Sequence, residues 1–140
     1  MDRKVFEVLS SKVKDDPYAK FLGIELIEIG EGYSKLRMQL ESHLYNFIGT
    51  AHGGAIFSLA DHAFAAASNS HGTLAVALNM NITFISAPPE GSVLVAEAKE
   101  ASLTPRTALY RIDVSTEDNQ LIALCQGIVY RKRDSLPGLD

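Results

Sequence analysis

Two features of one short stretch of the sequence could do chemistry on the same substrate. The first is the run His52-Gly53-Gly54, which directly precedes an alanine-rich segment with the composition of a buried helix. The first backbone N–H groups of a helix lack internal partners and lie at the positive end of its dipole, and glycine lets a ligand oxygen approach them closely. The second feature is Asp61, the only acidic residue of that segment. Burying a carboxylate costs free energy unless it is paired, so the presence of Asp61 in this segment needs a functional reason. Together the two features predict an oxyanion site and a catalytic carboxylate.

The spacing of these two features limits how they can meet. Gly53 and Asp61 are eight residues apart, which on a helix is about 12 Å along the axis and roughly 80° around it. Reacting groups must come within about 3 Å of each other, so Asp61 cannot act at the N-terminus of its own helix. If both features act on one substrate, they must come from two subunits whose helices lie side by side and antiparallel. We therefore expect a homodimer or a homotetramer.

The elements that must position these residues are one long helix and six strands. The segment 53–71 predicts a helix that is apolar almost all round and hence buried. Alternating polarity and turn residues predict strands at 24–29, 33–40, 74–85, 92–103, 106–117 and 120–131. A short amphipathic helix and a turn at 17–21 precede them, and a polar tail at 133–140 follows. The economical architecture is α+β, an antiparallel sheet wrapped around one central helix with its last four strands in a meander.

Composition excludes several classes of protein. The chain has 140 residues, 46% of them hydrophobic, and a net charge of −4, which fits a single domain, 1–140, and argues against nucleic-acid binding. The longest apolar-rich stretch, 54–68, is too short and too polar to be a membrane span. One cysteine, Cys125, excludes a disulfide framework and fits a reducing, cytoplasmic setting. No histidines or carboxylates show the spacing of metal ligands, so we expect no metal site.

A family resemblance rests on the pattern Asn46-x5-His52-Gly53-Gly54-x6-Asp61 and on the stretch HGGAIFSLADHAFAAASN. Both resemble the phenylacetyl-CoA thioesterase (PaaI-like) branch of the hotdog-fold acyl-CoA thioesterases, and the element order extends the likeness over about residues 18–131. The resemblance implies hydrolysis of an acyl-CoA thioester to the free acid and coenzyme A, without a cofactor, at sites on a dimer interface. It implies that Asp61 is the general base or nucleophile and that the Gly53 N–H polarises the thioester carbonyl. It also implies that Asn46 helps to bind the carbonyl or the nucleophilic water, and that His52 supports this arrangement.

One position departs from the pattern of that family. Many relatives carry a serine or threonine on the strand after the helix, facing the aspartate, and the nearest match here is Ala77. Strict alternation places Ala77, Asn79 and Asn81 on one face of that strand, which makes the two asparagines candidate polar partners. Gly54 and Phe47 are further candidate substrate-binding residues. Arg106 is a candidate for binding the phosphates of coenzyme A. Residues that could line an acyl pocket or belong to the core are Tyr18, Phe21, Leu22, Phe47 and Ile48.

Two other functions stay open on the sequence. A hotdog hydratase or dehydratase would act on 3-hydroxyacyl thioesters, but the His-x-Pro-Gly loop of those enzymes is absent before the helix. A non-catalytic acyl-CoA-binding protein on the same fold would not need the Asp61 carboxylate in an apolar helix. The identity of the acyl group is also open, because aromatic, short-chain and medium-chain groups are all compatible with the sequence.

Overall fold

Six strands and three α-helices make up the chain. The computed structural model describes residues 1–140. Every paired strand in it is antiparallel, so the predicted α+β architecture and the order of its elements are confirmed. In chain order the elements are α1 (Arg3–Asp15), α2 (Pro17–Leu22), β1 (Ile24–Gly30), β2 (Tyr33–Gln39), a 3-10 turn (Ser42–Leu44), α3 (Gly53–Ser68), β3 (Thr73–Phe84), β4 (Val93–Leu103), β5 (Thr107–Thr116) and β6 (Leu121–Ser135).

The strands form one sheet in the order β1-β2-β4-β5-β6-β3. The predicted meander of the last four strands is therefore wrong, because β3 crosses to the far edge of the sheet and pairs with β6. β4 pairs with β2 instead, which sets Leu36 opposite Ala96 and Met38 opposite Leu94. All four of these side chains are completely buried. The burial of this apolar face beneath α3 outweighs the usual preference of consecutive strands for each other.

Small residues allow α3 to lie close against the sheet. On its sheet-facing side Leu59 and Ala63 are fully buried, and Ser34 of β2 donates a hydrogen bond to the Ala63 carbonyl at 2.6 Å. The ring of Phe64 occupies the space above Gly127 of β6, where an added Cβ would lie only 2.7 Å from the ring. A side chain at Gly127 would thus force the buried ring of Phe64 to shift.

The helix α3 is three residues shorter than predicted. It ends at Ser68 because Asn69 caps it: the Asn69 N–H donates to the Ala65 carbonyl at 3.2 Å, and its side chain accepts from the Ala75 N–H at 2.9 Å. His71 lies outside the helix, with its Nε2 2.6 Å from a carboxylate oxygen of Glu100. Neither α3, with 16 residues, nor either of the other helices has the length and apolarity needed to cross a bilayer.

The C-terminal segment is docked on the fold, so the predicted polar tail is wrong. β6 continues to Ser135, and the next residue, Leu136, is only 5% exposed. The N–H of Leu136 donates to the Gly72 carbonyl at 2.8 Å. Two leucines, Leu136 and Leu139, supply the apolar contacts that hold this segment in spite of its polar neighbours.

Candidate active site

The N-terminus of α3 leaves one backbone donor open. The N–H groups of Ala55 and Ile56 both donate to the His52 carbonyl, at 3.0 and 3.1 Å. The Gly54 N–H donates to the His52 side chain through Nδ1, at 2.9 Å. The Gly53 N–H donates to no acceptor of the chain. The positive end of the helix dipole is thus offered to a ligand through Gly53 alone, which suits a single developing oxyanion.

A cleft lies next to this open donor. Its volume is about 370 Å³, and it is lined by Thr50, Ala51, Gly53, Ile56, Phe84, Ile85, Ser86, Ala87 and Pro88. The Phe84 ring lies directly beside Gly53, since a Cβ added to that glycine would be 3.2 Å from the ring. The wall of the cleft is thus mainly apolar, and the Gly53 N–H is a polar group in it. A mainly apolar wall with a few polar groups can hold and orient a carbonyl group.

A small loop positions the start of α3. An isolated bridge between Tyr45 and Ala51 closes it. Inside the loop the Asn46 Oδ1 accepts from the N–H groups of Ile48 and Thr50 at 3.0 and 3.1 Å, and the Asn46 Nδ2 donates to Thr50 Oγ1 at 2.9 Å. The amide of Asn46 is therefore engaged in shaping the loop, as in a local side-chain turn. Its predicted contact with a substrate carbonyl or water stays a prediction and would require these bonds to rearrange.

The carboxylate of Asp61 is exposed on the single chain, contrary to the prediction of a helix buried all round. Asp61 belongs to a stripe of exposed or half-buried residues on the face of α3 that the sheet does not cover; the stripe consists of Gly54, Phe57, Ser58, Asp61, His62 and Ala65. The Asp61 carboxyl is nevertheless partly shielded from water by the protein, and this desolvation raises its pKa above the ordinary value. The adjacent His62 lowers this pKa, and the negative charge of Asp16 raises it. A carboxylate with a raised pKa is a stronger base than an ordinary aspartate.

A β-bulge in β3 separates residues that simple alternation places together. Ala77 pairs with Val129 of β6, and Asn79 pairs with the next residue, Ile128, so Leu78 is left over. Directly paired residues project to the same face of a sheet. Ala77 thus shares the face of the buried Val129, on the side of α3. Asn79, and Asn81 opposite the exposed Gln126, project to the other side. The prediction that Ala77 and the asparagines share one face is wrong.

The other candidate contacts lie apart from Gly53 within one chain. Arg106 donates to the Arg131 carbonyl at 2.9 Å, and Arg131 pairs with Ala75 near the start of β3. Phe84, which lies beside Gly53, is nine residues further along that strand, a distance of about 30 Å at 3.3 Å per residue. The side chain of Phe47, at the tip of the loop before α3, is 100% exposed. Arg106 and Gly53 of the same chain therefore cannot touch the same end of a substrate.

One set of contacts near Asp61 was not predicted from the sequence. Tyr18 of α2 lies with its hydroxyl 3.1 Å from the Ser58 hydroxyl, one turn before Asp61 on α3. Since 40 residues separate Tyr18 from Ser58, no local pattern could have indicated this contact. The structure brings together no group of three or more histidine, cysteine, aspartate or glutamate side chains that could hold a metal ion.

Comparison with known proteins places this site in a family. The family model described as the thioesterase superfamily matches residues 48–123, which include the second half of the loop, α3 and β3. Acyl-coenzyme A thioesterase PaaI of Escherichia coli is 33% identical over 138 residues, which cover 99% of each chain. A relative from Archaeoglobus fulgidus, which carries only a general esterase name, is 47% identical over 124 residues, covering 89% of this chain and 80% of that protein.

Solved structures agree with the sequence comparisons. The structure of the E. coli PaaI protein superimposes with a TM-score of 0.89 at 32% identity, covering 94% of this chain and 96% of that one. The TT0310 protein of Thermus thermophilus superimposes with a TM-score of 0.80 at 38% identity, covering 84% and 98% of the two chains. The protein therefore belongs to the thioesterase superfamily and, within it, to the PaaI-like branch of the hotdog-fold acyl-CoA thioesterases.

Proposed function

We propose that this protein hydrolyses an acyl-CoA thioester to the free acid and coenzyme A, with the Gly53 N–H and the Asp61 carboxylate as its central groups. The observation that carries the proposal is the single open donor at the start of α3. His52 accepts hydrogen bonds from the neighbouring N–H groups and leaves the Gly53 N–H without an acceptor. A thioester carbonyl oxygen becomes negative as the carbonyl carbon is attacked, and an N–H aimed at that oxygen in a mainly apolar cleft stabilises the charge.

The carboxylate of Asp61 is the second catalytic group. As a general base it takes a proton from water while the water oxygen attacks the carbonyl carbon. The tetrahedral intermediate then collapses, the C–S bond breaks, and the departing thiolate receives the proton held by Asp61. In the alternative route the carboxylate itself attacks, coenzyme A leaves, and water hydrolyses the resulting mixed anhydride. Both routes consume one water and give the same two products.

Two copies of the chain are required for this chemistry. Gly53 and Asp61 lie on one rigid helix at about 12 Å along its axis, so each site takes them from different subunits. The exposed stripe of α3 that contains Asp61 offers the surface for such a pairing. The free edge of β3 adds a second contact surface, with Leu78 at 60% and Phe84 at 51% exposure. An exposed apolar edge strand is a surface that proteins usually cover. A homodimer, or a tetramer made of two dimers, is the assembly that we propose.

The proposed assembly also bears on how coenzyme A is held. In an antiparallel pair, the Arg106 end of the partner's sheet turns toward Gly53, so Arg106 is proposed to meet the coenzyme A phosphates only across the dimer. No nucleic-acid or membrane partner is proposed. A cytoplasmic location stays a prediction, supported by the free and buried Cys125.

A thiol-release assay over acetyl-, hexanoyl-, decanoyl- and benzoyl-CoA tests the proposal. We expect release of coenzyme A from at least one substrate, and a loss of at least about a hundredfold in kcat for Asp61→Asn. Asp134→Asn is the matched control, because Asp134 is an exposed aspartate near the end of β6 and should leave kcat unchanged. Binding of acyl-CoA without thiol release would instead indicate a non-catalytic binding protein. Hydration of an enoyl-CoA without thiol release would indicate a hydratase.

A further inference from the structure

The N-terminal helices touch α3 at the two positions that flank Asp61. The imidazole Nε2 of His62 lies 3.0 Å from the Val13 carbonyl oxygen of α1. On the other side, the Tyr18 hydroxyl of α2 lies 3.1 Å from Ser58 Oγ, which itself donates to the Gly54 carbonyl at 2.7 Å. Residues three apart on a helix are neighbours on its surface, so Ser58 and Asp61 adjoin each other. Tyr18 is thereby held over the part of α3 next to the catalytic carboxylate.

This segment lies outside the part of the chain that the family model describes. The match to the thioesterase superfamily covers residues 48–123, whereas α1 and α2 end at Leu22. An element that contacts the site without carrying Gly53 or Asp61 is suited to distinguishing substrates rather than to the common chemistry.

The helix α2 is fixed so that two aromatic side chains face outward. The Asp16 side chain caps its start by accepting the Ala19 N–H at 2.9 Å. Ala19 and Leu22 are buried at 3% and 7% exposure and anchor the helix on the core. Tyr18 and Phe21, three residues apart and thus side by side, are 60% and 73% exposed. Two large aromatic side chains on a rigid support form a ready apolar contact surface.

The charges around this surface determine which part of an acyl-CoA it can contact. Asp16 and Asp61 both carry negative charge beside it, and Lys20 of α2 is paired with Asp15 at 3.5 Å. The phosphates of coenzyme A would be repelled here, since like charges at close range disfavour each other. The acyl chain is the uncharged, apolar end of the substrate, and its carbonyl must lie within reach of Asp61. The acyl chain is therefore the part that fits.

We propose that Tyr18 and Phe21 of α2 form the wall of the acyl-binding pocket and make the enzyme favour bulky apolar acyl groups over acetyl. The inference rests on the proposed thioesterase function and adds the substrate class to it. Tyr18 and Phe21 act here as specificity-determining residues. Because acetyl offers only one methyl group to this wall, the contribution of the wall should grow with the size of the acyl group.

The test compares Tyr18→Ala and Phe21→Ala with the wild type on acetyl-, hexanoyl-, decanoyl- and benzoyl-CoA. We expect kcat/KM for the bulky substrates to fall by about tenfold or more, while the value for acetyl-CoA changes by less than about twofold. Phe6→Ala is the matched control, because Phe6 is a half-exposed aromatic residue of α1 that lies against β1. It should alter no kcat/KM ratio between substrates. Circular dichroism and light scattering on each variant establish that fold and oligomeric state are kept.

Several outcomes would overturn this inference while leaving the thioesterase function in place. An equal loss for acetyl and bulky substrates, or no loss for either, would show that α2 does not contact the acyl group. Dissociation of the oligomer in Tyr18→Ala would assign the aromatic pair to a subunit interface instead. If the wild type releases no thiol at all, the proposed function fails separately. Calorimetry with thioether analogues of the same acyl-CoAs would then show whether the chain-length preference in binding disappears in the two variants, as the inference requires.

Discussion

The Nδ1 atom of His52 accepts the backbone N–H of Gly54 at 2.9 Å. This hydrogen bond requires Nδ1 to be without a proton and so selects the tautomer that has its proton on Nε2. The imidazole thus serves as the N-cap of α3, a task that serine, threonine, aspartate or asparagine usually performs. By satisfying Gly54, the cap leaves Gly53 as the one open donor and sets the position at which an oxyanion can bind.

Substitution of His52 separates capping from proton transfer. His52→Ala removes the acceptor for Gly54, so we expect a loss of about 1 kcal/mol in the free energy of unfolding and a lower kcat as the first turn frays. His52→Asn restores an acceptor at the same position and should keep both quantities near wild type. Chemical denaturation and the thiol-release assay measure the two effects. An asparagine variant as inactive as the alanine variant would mean that the imidazole takes part in the reaction itself.

The raised pKa of Asp61 predicts the acid side of the pH–rate profile. The carboxylate must be ionised to act as base or nucleophile, so kcat/KM should fall as the pH drops through its pKa. Desolvation places that pKa above the ordinary value of 3.8, so the activity should be lost at a higher pH than for an unperturbed aspartate. A profile with its acid midpoint at or below 3.8 would contradict the environment described for this side chain.

The raised pKa of Asp61 also makes the stability of the fold depend on pH. A carboxyl whose pKa is higher in the folded than in the unfolded protein binds its proton more tightly when folded. Stability therefore falls as the pH rises from 3.8 through the folded pKa of Asp61. Asp61→Asn lacks this titration, so it should be more stable than wild type near pH 7 and equally stable near pH 3.5. Thermal unfolding across this range, with Asp134→Asn as the control, measures the difference. A wild type more stable than Asp61→Asn at pH 7 would show that the carboxylate is paired in the assembled protein.

Local signals predicted the start of the site better than they predicted its surroundings. The two glycines after His52 mark the first residue of α3 correctly, because helix starts depend on nearby residues. The exposure of Asp61 was missed because apolar composition does not tell which face of a helix the sheet covers. The contact between Tyr18 and Ser58 and the placement of β3 beside β6 depend on tertiary packing, which no short window of sequence contains. Family membership was predictable because the spacing from Asn46 to Asp61 is itself a local pattern.

The bulge at Leu78 gives a further prediction on β3. A bulge of one residue places every later side chain on the face opposite to the one that strict alternation predicts. Asn79 and Asn81 therefore project away from α3, whereas Ala77 lies on the face of the sheet that packs against α3. We expect Asn79→Ala and Asn81→Ala to change kcat by less than about twofold, whereas Ala77→Ser should raise kcat. The reason is that the family resemblance implies a position facing the aspartate, where a hydroxyl would hydrogen-bond a water near the carboxylate, a gain of about 1 kcal/mol or roughly fivefold. Steady-state kinetics on the three variants tests this assignment of faces. A large loss in either asparagine variant with no effect at Ala77 would contradict it.

Two inactive variants can show whether each active site is shared between two chains. Asp61→Asn removes the carboxylate, and Gly53→Pro removes the open N–H. Proline is tolerated at the first position of a helix, and the preceding residue must then be extended. His52 already is, with φ −66° and ψ 128°. A Cβ at position 53 would lie 3.2 Å from the half-exposed ring of Phe84, which can turn aside. Each variant alone should be folded and inactive.

Co-expression of the two variants should restore activity. A mixed dimer has one site with both defects and one site with neither, because the two defects lie on different chains. Random pairing gives about half mixed dimers, so the unfractionated mixture should recover about a quarter of wild-type activity. Dimers purified through two different tags should recover about half. Asp134→Asn in place of Asp61→Asn is the control: paired with Gly53→Pro, it also leaves one intact site in each mixed dimer. Purified mixed dimers as inactive as their parents, beside an active control, would mean that Gly53 and Asp61 of one chain serve the same site.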